Sequence, residues 1–172
     1  MATTNVMKES GAYEFNSINP ASPEIRRGFF GGRNIQQNVA AFPTDSLVAP
    51  SLEFQFRMPA AYAGGGLTTL IHHGNGEVLT GNVYWGLSFQ VVVASSTDMS
   101  AAAVFGTETV SAVTVHTSRR GFKATALVVT HANAGSPAAG DLVRCRLRRI
   151  STNVLDTHNG EAFLYNISIN ET

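Results

Sequence analysis

Apolar and polar residues alternate with a period of two through most of the chain after residue 50. In Leu52-Glu53-Phe54-Gln55-Phe56-Arg57-Met58 the even positions are apolar and the odd ones polar. That predicts a strand with one buried and one wet face, stopped by Pro59. The loop Tyr62-Ala63-Gly64-Gly65-Gly66 leads into a second strand, Leu67 to His72, and Gly74-Asn75-Gly76 predicts the next turn. The longest strand is predicted from Asn82 to Val93, with Val83, Trp85, Leu87, Phe89, Val91 and Val93 inward and Asn82, Tyr84, Gly86, Ser88 and Gln90 outward. Residues 110–116 and 122–130 are β-rich runs, with Arg119-Arg120-Gly121 as turn material between them. After the loop at 132–137, Leu142 to Ile150 alternates again, Val143, Cys145 and Leu147 facing in and Arg144, Arg146 and Arg148 facing out. Glu161 to Ile169 places Phe163, Tyr165, Ile167 and Ile169 on one face. Met99 to Phe105 is Ala-rich and reads as a short helical turn or a loop. Many short strands without a long helix predict an all-β fold, an antiparallel β-sandwich or barrel. A jelly-roll sandwich is preferred over an immunoglobulin-like one because long loops separate the strands.

The first 50 residues differ in character. Pro20, Pro23, Pro43 and Pro50 are four of the six prolines, and periodicity is poor. The expected organisation is an extended N-terminal arm over 1–50 and a β-sandwich domain over 51–172. Within the arm, Ile25 to Arg33 combines arginines, aromatics and flexible glycines. Arg26, Arg27, Phe29, Phe30 and Arg33 are therefore candidate contacts to a neighbouring subunit, ordered when laid on it. The alternative is that this stretch holds one or two edge strands of the same domain.

Composition narrows the function classes. At 172 residues the chain suits one domain, which buries roughly 70% of its unfolded surface. Lys+Arg and Asp+Glu both total 12, the net charge is zero, and charged residues make up 14% of the chain. Soluble domains average nearer ~25%. A surface this sparse in charge argues against general nucleic-acid binding and suggests that a partner covers part of it. The N-terminus lacks the pattern of a secretory signal, and no apolar run approaches the ~20 residues of a membrane span. The expectation is a protein made in a cytoplasm, with no membrane partner. Asn166-Ile167-Ser168 and Asn170-Glu171-Thr172 match the glycosylation triplet, which matters only in a eukaryotic secretory route.

No catalytic, metal or cofactor site is expected. His72 and His73 are adjacent on a strand, so their side chains diverge, and His116, His131 and His158 have no carboxylate or thiol at ligand spacing. Cys145 is the single cysteine, which excludes an intrachain disulfide, and its strand position points inward as a buried, inert thiol. There is no Gly-x-Ser-x-Gly elbow, and the triple glycine lacks the Lys-Ser/Thr of a phosphate loop. The strongest charge feature is the row Arg144, Arg146, Arg148, extended by Arg149. Its outward members repeat every ~6.6 to 6.8 Å along one strand face and repel unless carboxylates oppose them. Those carboxylates come either from neighbouring strands or from a partner subunit, and nucleic-acid phosphates are a third choice of counter-charge.

Three segments together resemble a family of small tailed-phage virion proteins. They are Met58 to His72, Thr80 to Phe89, and Val143 to Arg149 with Asp156-Thr157-His158-Asn159-Gly160-Glu161-Ala162. The match runs from about residue 50 onward, and His73 stands where the family carries an aromatic. The resemblance implies a virion β-sandwich without catalytic residues. Within virions it implies first a capsid decoration (cement) protein on the outer capsid surface, self-associated as a homotrimer and bound to the major capsid protein. The alternative is a tail, head-fibre or receptor-binding component recognising a host glycan or surface protein. A glycan-cleaving depolymerase is a third reading, but its carboxylate pair is not identifiable among the scattered Asp and Glu.

Overall fold

The computed structural model describes residues 24–30, 35–44, 49–76, 80–93, 103–118 and 121–172. These contain nine strands and no helix: β1 (Glu24–Phe30), β2 (Ile35–Phe42), β3 (Ser51–Arg57), β4 (Leu67–Asn75), β5 (Asn82–Val92), β6 (Thr109–Thr114), β7 (Phe122–Val129), β8 (Leu142–Arg149) and β9 (Ala162–Glu171). One sheet runs β1-β2-β9-β4-β7 and the other β3-β8-β5-β6, and every pairing is antiparallel. With β1 set aside, these two four-strand orders are those of a jelly roll, a sandwich of two interlocked Greek keys.

The core follows the alternation. Leu52, Phe56, Val83, Trp85, Leu87, Phe89, Val143, Cys145 and Leu147 come from the β3-β8-β5-β6 sheet and are buried. Phe42, Leu67, Ile71, Leu127, Val129, Leu164, Ile167 and Ile169 come from the other sheet. Trp85 is fully buried near the centre, and Phe42 meets it edge-on at 5.1 Å.

Four expectations change, the first being Val93, expected inward on the longest strand but lying beyond the end of β5 and 50% exposed. The stretch 1–50 was expected to be an arm. Residues 24–30 and 35–42 form β1 and β2, in line with the alternative of one or two strands, and Ala40, Ala41 and Phe42 pair with Leu164, Phe163 and Ala162 of β9. Phe42 has 0% exposure, because the first sheet needs it to cover Trp85. Gly74-Asn75 was expected in a turn but ends β4. A Cβ at Gly74 would lie 2.4 Å from the Gly121 carbonyl oxygen and 2.5 Å from the Tyr165 hydroxyl, so only glycine keeps the strand running there. Tyr165 was expected to share a face with Ile167. The β4–β9 ladder shifts register between His72 and His73, where His72 pairs with Asn166 and His73 with Leu164. Tyr165 is the extra residue of that bulge, so the inward set becomes Ala162, Leu164, Ile167 and Ile169.

Candidate functional site

The outward face of the β3-β8-β5-β6 sheet collects the row of arginines. Across the ladders Arg144 stands between Gln55 and Gln90, Arg146 between Glu53 and Ser88, and Arg148 between Ser51 and Gly86. On β5 the two small residues, Gly86 and Ser88, leave room above the strand. The segment before β6 uses that room, fixed by the Gly106 N–H donating to the Phe89 carbonyl at 2.8 Å. Glu108 reaches over Gly86, where a Cβ would sit 2.6 Å from its carboxylate oxygen. There it accepts hydrogen bonds from Arg148 Nε and Nη2, both at 2.6 Å. This fork-to-fork pair holds the Arg148 guanidinium charged, its pKa raised chiefly by the bond to Glu108. Phe105 lies against Arg146, whose guanidinium carbon is 4.2 Å from the ring centroid.

Around Arg144 and Arg146 the face is left incomplete. Arg144 is 9% exposed and Ser88 0%. Arg144 Nη1, Arg146 Nε, Ser88 Oγ and Gln90 Oε1 are all buried without a hydrogen-bond partner. An unmet buried polar group costs about 1–3 kcal/mol, so four on one face are a concentrated liability unless something else meets them. Of the two ion pairs identified among the described residues, only Arg148–Glu108 lies on this face. Guanidinium, amide and hydroxyl groups beside an aromatic ring make a surface that can grip a polar ligand and orient it.

Arg149 does not extend the row. Alternation turns it inward, where it is fully buried and forks onto Asp156, with Nη2 at 2.6 Å from Oδ1 and Nε at 2.9 Å from Oδ2. Nη1 donates to the carbonyls of Phe42 at 3.2 Å and Gly160 at 2.6 Å, and Nη2 donates to that of His158. Asp156 also accepts from the Tyr84 N–H, and the N–H groups of Thr157 and His158 both donate to the Asn82 carbonyl. The Thr80–Phe89, Val143–Arg149 and Asp156–Ala162 segments thus meet in one buried hydrogen-bonded cluster. Gly81 lies against its backbone at φ 92°, and a Cβ there would fall 2.5 Å from the Thr157 carbonyl oxygen.

The remaining groups singled out in the sequence have structural surroundings. Glu171 Oε1 accepts from the N–H groups of Ala63 and Gly65, each at 2.9 Å, pinning the glycine loop to β9. The Tyr62 hydroxyl donates to the Gly65 carbonyl and lies 3.1 Å from His131 Nδ1; burial, then the Glu171 charge, raises its pKa. Burial, then Glu53, pushes the Cys145 thiol well up, so it stays protonated. His72 and His73 diverge: His72 faces Phe122 on the outside, while His73 is buried against Trp85 with Nε2 at 3.0 Å from Thr125 Oγ1. Among the described residues no three His, Cys, Asp or Glu side chains gather at metal-binding distance.

Arg26, Arg27, Phe29 and Phe30 lie on β1, at the edge of the opposite sheet, where they pair through the backbone with Val39, Asn38, Gln36 and Ile35. Arg33 lies outside the described residues. The structure therefore does not join the β1 set and the β8 row into one sheet. Phe105, Glu108, Ser88 and Gln90 belong to the site and were not singled out by sequence reasoning. The alternation of small outward residues at Gly86 and Ser88 was the available clue.

Neither a protein-family model nor a curated protein matches the chain. Solved structures with a similar course are few in shared residues. A family 11 carbohydrate-binding module from Clostridium thermocellum, in complex with a β-1,3-1,4-mixed-linked tetrasaccharide, is 7% identical with a TM-score of 0.49, covering 98% of this chain and 96% of that one. TmCBM61, in complex with β-1,4-galactotriose, is 10% identical with a TM-score of 0.41, covering 82% of this chain and 74% of that one. The enzymatically active domain of bacteriophage CBA120 tailspike protein 4 is 11% identical with a TM-score of 0.40, covering 88% of this chain and 18% of that one.

Proposed function

We propose that this chain is a non-catalytic module of a tailed-phage virion that recognises a glycan on the host surface through the outward face of β3-β8-β5-β6. The observation that carries the reading is the group of four unmet polar atoms on Arg144, Arg146, Ser88 and Gln90 beside the Phe105 ring. Sugar hydroxyls both donate and accept, and the partly exposed side chains Arg146 and Gln90, with Arg144 beside them, carry groups that can meet them. The virion setting rests on the three sequence segments that resemble phage proteins. The non-catalytic part of the reading is carried over from the sequence, and the groups that chemistry could use have other surroundings. Glu108 is committed to Arg148, Cys145 is buried and protonated, and the histidines do not converge. The test is a glycan array followed by titration calorimetry on hits. Saturable binding that weakens at least tenfold in Arg146→Gln supports the reading, and a blank array with folded protein overturns it.

A second reading, the capsid decoration protein, is favoured by a different feature. The outward side of β7 is wholly apolar: Phe122 is 66% exposed and Val128 56%, with Ala124 and Ala126 exposed between them. β7 is also an edge strand. A surface of that kind is commonly covered by another subunit. Counting copies in purified particles separates the readings. Tens to hundreds on each head support decoration, and a few at the tail support receptor binding.

A further inference from the structure

Arg148 shows what this face takes. Its guanidinium receives a carboxylate, that of Glu108, laid flat over β5 where Gly86 leaves space. Two residues along the strand, Arg146 has no such carboxylate partner among the described residues. Arg146 lies over Ser88 instead of Gly86, its Nε is buried and unmet, and Phe105 covers one side of its plane. Two residues further, Arg144 is 9% exposed with Nη1 unmet beside Gln90. Glu53 is the register partner of Arg146 on β3, yet the two form no ion pair. The described outward positions of β3 and β8, with Glu108, thus carry four arginines (Arg57, Arg144, Arg146, Arg148) against two glutamates (Glu53, Glu108). The chain as a whole is neutral, so the positive excess is local.

We infer that the ligand at this face is an acidic glycan whose sugar carboxylate is bound by Arg146 and Arg144, in the manner that Glu108 is bound by Arg148. The inference rests on the glycan-binding reading and adds the charge and the atoms that read it. The guanidinium fork matches a planar carboxylate through two parallel N–H bonds. Gln90 is half-buried and stands in register beside Arg144, where its amide can meet a neighbouring hydroxyl.

The test uses the full chain and three probes: an oligogalacturonate, the same oligosaccharide fully methyl-esterified, and a glycerol-phosphate oligomer, with a single-stranded oligonucleotide as a fourth arm. The expected result is binding of the oligogalacturonate at least tenfold tighter than its ester, weakening with salt, and a loss of at least tenfold in both Arg146→Gln and Arg144→Gln. Thermal unfolding of each variant checks that it is folded. Arg146→Lys keeps the charge but not the fork, so it is expected to remain at least fivefold weaker than the unaltered chain. Equal binding of acid and ester overturns the inference and leaves the glycan reading standing. Tighter binding of the phosphate oligomer or the oligonucleotide overturns it in favour of a phosphate ligand. No binding by any probe, with an array that is also blank, overturns both.

Discussion

Arg149 illustrates how one side chain can organise several chain segments at once. Of its four acceptors, Asp156 and the carbonyls of His158 and Gly160 come from the loop between β8 and β9, and the carbonyl of Phe42 comes from the end of β2, 107 residues away in sequence. Removing it leaves a buried carboxylate and three carbonyls unmet. Arg149→Met is expected to cost about 3–5 kcal/mol in chemical denaturation. Arg149→Lys should recover little of that, because an ammonium cannot reproduce the fork. His73 carries a pH dependence that comes from burial and not from an ion pair. Burial, then Lys123 and His72, lowers its pKa from 6.5 to about 4. Between those values the unfolded chain binds the proton and the folded one does not, so its stabilising contribution is complete above pH 6.5 and lost as pH falls towards 4. The full difference is worth about 3 kcal/mol. Stability measured from pH 7 to 4 should fall more steeply in the unaltered chain than in His73→Gln, and parallel curves would refute the assignment.

At the scale of the element, the strands from residue 51 onward were legible because each half-buried strand writes its two faces into alternate positions. β5 and β8 are the clearest: Val83 to Phe89 and Val143 to Leu147 point as their alternation requires. The exceptions have physical causes. The bulge at Tyr165 adds one residue, and every side chain before it in β9 changes face, which a strict period of two cannot register. β2 escaped because its pairing with β9 spans Ala40, Ala41 and Phe42, too short a run to show a period. The arginine row was legible from spacing alone. Its neighbours Phe105 and Glu108 were not, since they arrive from a loop whose path depends on Gly86 and Ser88 being small. Phe42 supplies the test for β2. Phe42→Ala should cost about 3–5 kcal/mol by the cavity left against Trp85, and a loss under 1 kcal/mol in urea unfolding would place β2 outside the cooperative unit.

For the whole molecule, the balance of charge and apolar surface sets how copies meet. β7 ends one sheet with Phe122, Ala124, Ala126 and Val128 outward, and Lys123, its single charged residue, donates to the Thr114 carbonyl at 3.0 Å. Charges that normally discourage pairing along an edge are therefore missing from its outer side. Sedimentation velocity should show self-association at tens of micromolar, shifted towards monomer in Phe122→Lys/Val128→Lys. Unfolding stability should change by less than about 0.5 kcal/mol per exposed site. A monomer at every concentration would remove the apolar edge from consideration as a contact.

The position of β9 bears on how the protein is made. It follows the other eight strands in sequence and yet lies between β2 and β4 in the middle of its sheet. On a ribosome, the two strands that flank it emerge first and must wait with open edges, unable to bridge the gap themselves. Folding of that sheet therefore waits until β9 has been made, and a nascent chain stalled before residue 162 leaves the facing edges of β2 and β4 open to strand-to-strand aggregation.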